Sequence, residues 1–257
     1  MTALDDRPET RPTAGAAASL PAELLVQAAA RPKDVALRKK DLGRWKQYTW
    51  DEYATRAARV GLGLLELGVQ PGDRVAVHSE NRPAWLLTDL GAQGIGAVTV
   101  GIYPTSPAAE VEYLLGHSES VVVVVEDEEQ FDKTWAVRSK LPALRKIVVI
   151  DTRGIRDLDD PMVMTFADLE ALGAQRDMAE YRRRVTAIDP ATAAVMVYTS
   201  GTTGPPKGAL LSHANLVAAG QAFVDAFGAR QDDEVLSYLP LCHIAERVGS
   251  TVDALQA

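Results

Sequence analysis

Residues 120–150 give the clearest indication of the fold class, and they read SVVVVVEDEEQFDKTWAVRSKLPALRKIVVI. Val121–Val125 are five consecutive valines, which is strand length and strand composition. Residues 128–140 have the pattern of an amphipathic helix, and Ile147–Ile150 is again apolar. A strand, a helix and a second strand in this order predict a parallel β-α-β unit covered on both faces.

The same alternation continues on both sides of this unit. Further strands are predicted at Val75–His78, Ala97–Ile102, Ala193–Thr199, Ala209–Ser212 and Glu234–Leu239, and further helices at Trp85–Gly94, Pro107–Leu115 and His213–Phe227. Residues 151–190 are less regular and highly charged, and we interpret Arg182–Arg184 within them as a solvated helix face rather than a phosphate contact. The predicted class is α/β, with parallel-type sheets covered by helices.

The N-terminal part carries its own local signals. Residues 1–19 are polar and rich in Ala and Pro, which predicts a flexible tail, and Leu20–Ala30 is a short predicted helix. Val35–Lys39 and Trp45–Thr49 predict a hairpin. Thr49 and Glu52 then have the spacing of a capping box, and Gly68 is the expected stop of the helix that follows.

Composition narrows the classes of function. The net charge of −8, from 27 basic and 35 acidic residues, argues against a nucleic-acid partner. The single cysteine, Cys242, forms no disulfide within the chain and suits a reducing cytoplasm. No run approaches the roughly 18 apolar residues of a membrane span. We therefore expect a cytoplasmic protein, with peripheral membrane contact left open.

Residues 198–208, YTSGTTGPPKG, have the composition of a phosphate-binding loop. Glycines allow positive φ, so that successive backbone N–H groups can point into one concavity. Hydroxyl donors come from Thr199, Ser200, Thr202 and Thr203, and Lys207 adds a positive charge. The loop is not a Walker A motif, because Lys207 is followed by glycine rather than by Ser or Thr. The alternative is a polar hairpin loop rich in turn residues.

Residues 199–208 resemble the signature loop of the adenylate-forming superfamily, whose members include acyl-CoA synthetases, peptide-synthetase adenylation domains and luciferases. The resemblance implies that this loop binds the β- and γ-phosphates of ATP. The residues to which it assigns nucleotide binding are Thr199, Ser200, Gly201, Thr202, Thr203, Gly204 and Lys207. Among these, Thr202 and Lys207 are the expected catalytic residues, because charge develops on pyrophosphate as it leaves.

Three further segments, residues 79–85, 101–113 and 237–247, resemble those of long-chain acyl-CoA synthetases. The resemblance gives His243 an orienting or charge-stabilising role near the carboxylate, and makes it the third expected catalytic residue. The alternative for His243 is a packed histidine at a helix start. We interpret His213 as a capping or packing residue and Cys242 as a small buried apolar one. His78 and His117 receive no role.

The family's later motifs, for adenine, magnesium, ribose and the C-terminal lid, are not found in the sequence. We therefore expect residues 20–257 to be an incomplete N-terminal AMP-binding domain that is inactive alone. The expected reaction uses ATP, a long-chain fatty acid and CoA, with the Mg2+ ligand outside this chain. The alternatives are a fatty acyl-AMP ligase and a non-catalytic nucleotide-binding module.

Overall fold

A computed structural model describes residues 19–156, 159–199 and 204–256 of the chain. The strands are β1 Val35–Asp41, β2 Arg44–Thr49, β3 Arg74–His78, β4 Val98–Ile102, β5 Ser120–Val125, β6 Lys146–Val149, β7 Val163–Thr165, β8 Ala193–Thr199 and β9 Lys207–Ser212. The helices are α1 Leu20–Ala30, α2 Trp50–Glu66, α3 Pro83–Gly94, α4 Ala108–Ser118, α5 Glu128–Val137, α6 Phe166–Ala174, α7 Met178–Thr186, α8 His213–Phe227, α9 Ile244–Glu246 and α10 Asp253–Gln256. A 3₁₀ turn over Arg138–Lys140 extends α5, and a π-helix spans Arg247–Val252.

Within the described ranges, seven strands form one sheet in the order β7-β6-β5-β3-β4-β8-β9. All neighbours in it are parallel except β8 and β9, which are antiparallel. The chain adds β4 on one side of β3 and β5 on the other, so the order of the strands reverses at β3. The predicted α/β class is confirmed, and β1 and β2 form the predicted hairpin apart from this sheet.

Residues 120–150 form the predicted β-α-β unit, which consists of β5, α5 and β6. Val122–Val125 are fully buried, as strands covered by helices on both faces require. Helix α5 begins after Asp127, whose side chain accepts a hydrogen bond from the backbone N–H of Glu129 at 3.0 Å. The strands β5 and β6 are therefore parallel, and the unit lies at the residues that the valine run predicted.

Helix α2 is the central helix of one layer, and its contacts require glycine. A Cβ at Gly61 would lie 2.5 Å from the carbonyl oxygen of Gly91 in α3. A Cβ at Gly173 of α6 would lie 1.8 Å from the carbonyl oxygen of Arg59 in α2. Because these approaches are backbone to backbone, a side chain cannot simply turn aside, and small residues set the spacing of the three helices.

The predicted start and end of α2 are confirmed. The Glu52 N–H donates to Thr49 Oγ1 at 3.2 Å, and the Thr49 N–H donates to Glu52 Oε2 at 2.8 Å. This reciprocal pair satisfies two N–H groups that a helix start otherwise leaves unpaired. Gly68, just past the helix, has the positive φ of 79° expected of a glycine stop.

Three expectations need correction. The predicted strand Glu234–Leu239 forms no strand in the described part of the chain, and it exposes apolar side chains such as Leu236 and Tyr238. A strand needs a pairing partner, and apolar alternation alone does not supply one. Residues 151–190, expected to be irregular, contain β7, α6 and α7. Ser19, expected in the flexible tail, is buried and caps α1; residues 1–18 lie outside the described ranges.

The arginine triplet lies on the exposed side of α7, as predicted. Arg182 and Arg183 are exposed, and the Arg184 guanidinium pairs with the Glu180 carboxylate one turn earlier at 3.1 Å. Surface pairs of this kind contribute little to stability. The triplet is a solvated helix face.

Candidate functional site

The parallel strands bring four loops to one edge of the sheet. Because β3, β4, β5 and β8 run parallel, the loops that follow them leave from the same edge. In open α/β sheets ligands bind at the carboxyl ends of the strands. The phosphate-binding loop predicted from sequence follows β8, so it lies at this edge beside the loop that follows β4.

The two ends of the phosphate loop are held side by side. Thr199 pairs with Lys207, and Tyr198 pairs with Gly208, in the antiparallel ladder of β8 and β9. Gly204 has a φ of 84° with open space around it, so its backbone conformation rather than crowding favours glycine. Four of the predicted residues, Ser200, Gly201, Thr202 and Thr203, lie outside the described ranges.

Lys207 is placed slightly differently from the expectation. It is the first residue of β9 rather than part of the loop itself, and its backbone is therefore fixed by the ladder. Both Lys207 and Thr199 are exposed. The ladder therefore places a lysine and a threonine side by side at this edge, and an ammonium group and a hydroxyl suit a phosphate.

His243 reaches the same edge through its neighbour in sequence. Cys242 packs on Gly101 in β4, where a Cβ would lie 2.7 Å from the Cα of Cys242. His243 itself is exposed and precedes α9, where its Nδ1 accepts a hydrogen bond from the Ala245 N–H at 3.2 Å. The imidazole is thus an exposed helix cap rather than a packed side chain. The structure places its segment on β4, the strand that adjoins β8.

Asn81 joins two of the three segments that resemble long-chain synthetases. Its side-chain amide donates to Ser237 Oγ at 2.8 Å and to the Leu239 carbonyl at 2.7 Å. Its Oδ1 accepts from the Leu241 N–H at 3.0 Å. One side chain therefore joins the loop after β3 to the segment before His243, and this role of Asn81 was not predicted.

Burial keeps several titratable groups of this region neutral. It raises the pKa of the Cys242 thiol to about 12, so the sulfur is not a nucleophile at neutral pH, in agreement with its interpretation as a small buried residue. Burial also lowers the pKa of His78 and of His213 to about 4. His213 is fully buried at the start of α8, which confirms it as a packing residue.

Two residues that the sequence did not single out for a role contact the ends of the phosphate loop. The Tyr113 hydroxyl donates to the Pro206 carbonyl at 2.9 Å. His117 Nδ1 and the Tyr198 hydroxyl share a hydrogen bond of 2.7 Å. These partners are more than 80 positions apart in sequence. Only the i, i+4 spacing of Tyr113 and His117 on α4 was visible beforehand.

No group of three or more His, Cys, Asp or Glu side chains in the described ranges is arranged to hold a metal ion. The described residues therefore offer no preformed cluster of this kind for Mg2+. No helix in the same ranges has both the length and the apolar character needed to cross a membrane.

Comparison with known sequences shows relatives across most of the chain. The family described as AMP-binding enzyme matches residues 24–255. The long-chain-fatty-acid–CoA ligase FadD15 of Mycobacterium bovis is 37% identical over 207 residues, which are 80% of this chain and 33% of that protein. The long-chain-fatty-acid–CoA ligase heimdall of Drosophila melanogaster is 32% identical over 211 residues, 79% of this chain and 30% of that protein. The chain spans about a third of the length of these relatives.

The fold has counterparts among solved structures. The long-chain-fatty-acid–CoA ligase FadD1 of Archaeoglobus fulgidus superposes with a TM-score of 0.79 at 22% identity, covering 93% of this chain and 45% of that one. At this identity the likeness concerns the fold alone.

Proposed function

Because this chain belongs to the AMP-binding enzyme family, we propose that it carries the phosphate-binding part of a long-chain fatty acid–CoA ligase. The similarity to two ligases of that description supports the substrate class. Residues 20–257 are, in this proposal, part of an N-terminal AMP-binding domain. The protein acts in the cytoplasm on ATP, a fatty acid and CoA, and peripheral membrane contact would bring it to its lipid substrate.

The reaction proceeds in two steps. A carboxylate oxygen of the fatty acid attacks the α-phosphorus of ATP, and the bond from that phosphorus to the β-phosphate oxygen breaks, which releases pyrophosphate. The CoA thiol, as it loses its proton, then attacks the acyl carbonyl, and the bond from that carbonyl to AMP breaks. No protein nucleophile is needed, and the neutral thiol of Cys242 fits that requirement.

The chain's own residues act mainly on the leaving group. Pyrophosphate gains negative charge as the bond breaks, and positioned donors lower the barrier most where charge develops. Lys207 and Thr199 supply an ammonium group and a hydroxyl there, and Gly204 allows the loop to turn. The proposal extends the same role to the loop residues 200–203. His243 orients the carboxylate from the segment that packs on β4.

A single observation carries the proposal: the antiparallel pairing of Thr199 with Lys207 at the carboxyl edge of the parallel sheet. The two ends of the hairpin loop therefore lie at the edge where α/β proteins bind ligands. The pairing also fixes the backbone of Lys207 next to that of Thr199 before any ligand arrives, so that less conformational freedom is lost on binding.

Calorimetric titration of the purified chain tests the assignment of the loop to the outer phosphates. We expect ATP and tripolyphosphate to bind with similar affinity and AMP to bind at least about tenfold more weakly, since AMP lacks the groups that the loop contacts. Equal affinity for AMP and ATP would contradict the assignment, and so would no detectable binding of tripolyphosphate.

A second experiment tests whether the chain completes the reaction. Incubation with ATP, Mg2+, palmitate and CoA should give no palmitoyl-CoA above a control without protein, because in this proposal the chain carries only the phosphate-binding part of the ligase. Formation of palmitoyl-CoA would show that the chain holds a complete active site and would overturn this part of the proposal.

A further inference from the structure

Helix α4 contacts the phosphate loop at both of its described ends. Tyr113 donates a hydrogen bond to the carbonyl of Pro206, the residue just before Lys207, at 2.9 Å. One turn later on the same helix, His117 shares a hydrogen bond of 2.7 Å with Tyr198, the residue just before Thr199. The entry and the exit of the loop are thus attached to one rigid element.

The three rings involved form a continuous row. Tyr113 and His117 stack with their centroids 5.5 Å apart, and His117 and Tyr198 form a T-shaped contact with centroids 5.6 Å apart. Residues four apart on a helix lie on the same face, which is why two side chains of α4 reach the hairpin together. Packing and hydrogen bonding therefore act on the same groups.

The hairpin needs such an attachment because β9 is the last strand of the sheet. Among the described strands it pairs with β8 alone, and several of its residues, including Lys207 and Leu210, are exposed. An edge strand held on one side only opens more easily than an inner strand. The bond to Pro206 restrains the residue next to Lys207, so it limits how far the backbone of Lys207 can move from β8.

The hydroxyl of Tyr198 is suited to a permanent contact. Burial raises the pKa of Tyr198 to about 12, with the nearby Tyr113 adding to the effect. The hydroxyl therefore stays protonated throughout the neutral range. The Tyr198 hydroxyl also donates to the carbonyl oxygen of Leu114 on α4, at 3.5 Å.

From this geometry we infer that Tyr113 and His117 are positioning residues, which hold the two ends of the phosphate loop in the arrangement that binds the outer phosphates of ATP. The inference rests on the proposed function of the loop. Its alternative is that α4 and the hairpin simply pack together, in which case these residues would affect the stability of the fold but not binding at the loop.

A pair of matched tyrosine substitutions separates the two. Tyr113→Phe removes the hydroxyl that reaches Pro206. Tyr181→Phe removes a hydroxyl that donates to the Leu90 carbonyl at 2.8 Å, between α7 and α3. Each change deletes one hydroxyl-to-carbonyl bond and keeps the ring. His117→Phe serves as a third variant, because it keeps a ring beside Tyr113 and removes the bond to Tyr198.

Hydrogen exchange of the purified chain reads the position of the hairpin without any ligand. We expect Tyr113→Phe and His117→Phe to speed amide exchange across residues 204–212 by about threefold to tenfold, the equivalent of one lost hydrogen bond. Tyr181→Phe should leave that region unchanged. Unchanged exchange at residues 204–212 in both α4 variants would overturn the inference.

Titration with tripolyphosphate then reads the consequence for binding. We expect the two α4 variants to bind it about threefold to tenfold more weakly than the unmodified chain, and Tyr181→Phe to bind it as the unmodified chain does. Weakening of the same size in all three variants would show a general loss of stability and would overturn the inference. If the unmodified chain does not bind tripolyphosphate, the proposed function fails, and hydrogen exchange alone decides whether α4 holds the hairpin.

Discussion

Lowering the pH from about 7 to about 5 should destabilise the protein through two buried histidines. His78, at the end of β3, and His213, at the start of α8, are both fully buried. Burial, and to a smaller extent the charge of Lys133, lower the pKa of His78 from 6.5 to about 4, against a partial opposing effect of nearby carbonyl groups and of Glu129. Burial has the same effect on His213, with Asp89 opposing it.

The sign follows from which state takes up the proton. Because the pKa of each histidine is lower in the folded state, the unfolded chain protonates first as the pH falls. The stabilising effect is complete above the unfolded pKa of 6.5 and is lost as the pH falls through 6.5 toward about 4. For a shift of this size the loss between about pH 7 and about pH 5 is about 2 kcal/mol for each histidine. Two such losses are a large part of a typical unfolding free energy of about 5–15 kcal/mol.

Urea unfolding at the two pH values measures this loss directly. His78→Phe and His213→Phe, which keep an apolar ring and remove the titrating group, should each reduce the pH dependence by about half. The carboxylates of Glu180 and Asp151 add little to this change in the unfolding free energy. Their pKa values are lowered in the folded state from 4.5 and 3.8, so the stability that they contribute is lost mainly below about pH 5. A decrease in the unfolding free energy below about 0.5 kcal/mol between the two pH values would contradict this prediction. So would an unchanged decrease in a variant that carries both His78→Phe and His213→Phe.

Three other predictions concern stability and are checked by the same urea measurement. Gly61→Ala should lower the unfolding free energy by about 1–3 kcal/mol because the new Cβ meets a backbone carbonyl. The control Gly116→Ala, whose Cβ makes only ordinary contacts on α4, should raise it by about 0.5–1 kcal/mol. Equal effects of the two substitutions would contradict the packing of α2. Thr49→Ala should cost about 1 kcal/mol by removing the helix cap, and no loss would contradict the capping box. Gly101→Ala should cost about 1–3 kcal/mol because it displaces Cys242, and a neutral result would show that this segment does not rest on β4.

Much of the sheet was predictable because its signals are local. The valine run of β5 is contained in a few consecutive residues, and so is the capping box at Thr49. Both are as predicted. The same kind of signal was present and unused at Thr165 and Asp168, which form the capping box of α6 inside a region expected to be irregular.

The failure at Glu234–Leu239 has a different physical cause, which is dependence on a distant partner. Glu234–Leu239 has the composition of a strand, but no described strand pairs with it. The same holds in reverse for the site, where Asn81 acquires its role only because the fold brings residues 237–241 next to it. Composition shows which groups can bind a phosphate, whereas the arrangement of α4 and β4 around them depends on the whole sheet.

The central claim is that Lys207 and the hairpin ends form a site for the outer phosphates of ATP. The most direct test is the dissociation constant of ATP for the chain with Lys207→Ala, with Lys33→Ala as the control, since Lys33 is an exposed lysine in the turn after α1. The account predicts about 10- to 100-fold weaker binding for Lys207→Ala, the usual effect of losing a charged hydrogen bond, and unchanged binding for Lys33→Ala. Equal affinities for the two variants would contradict it.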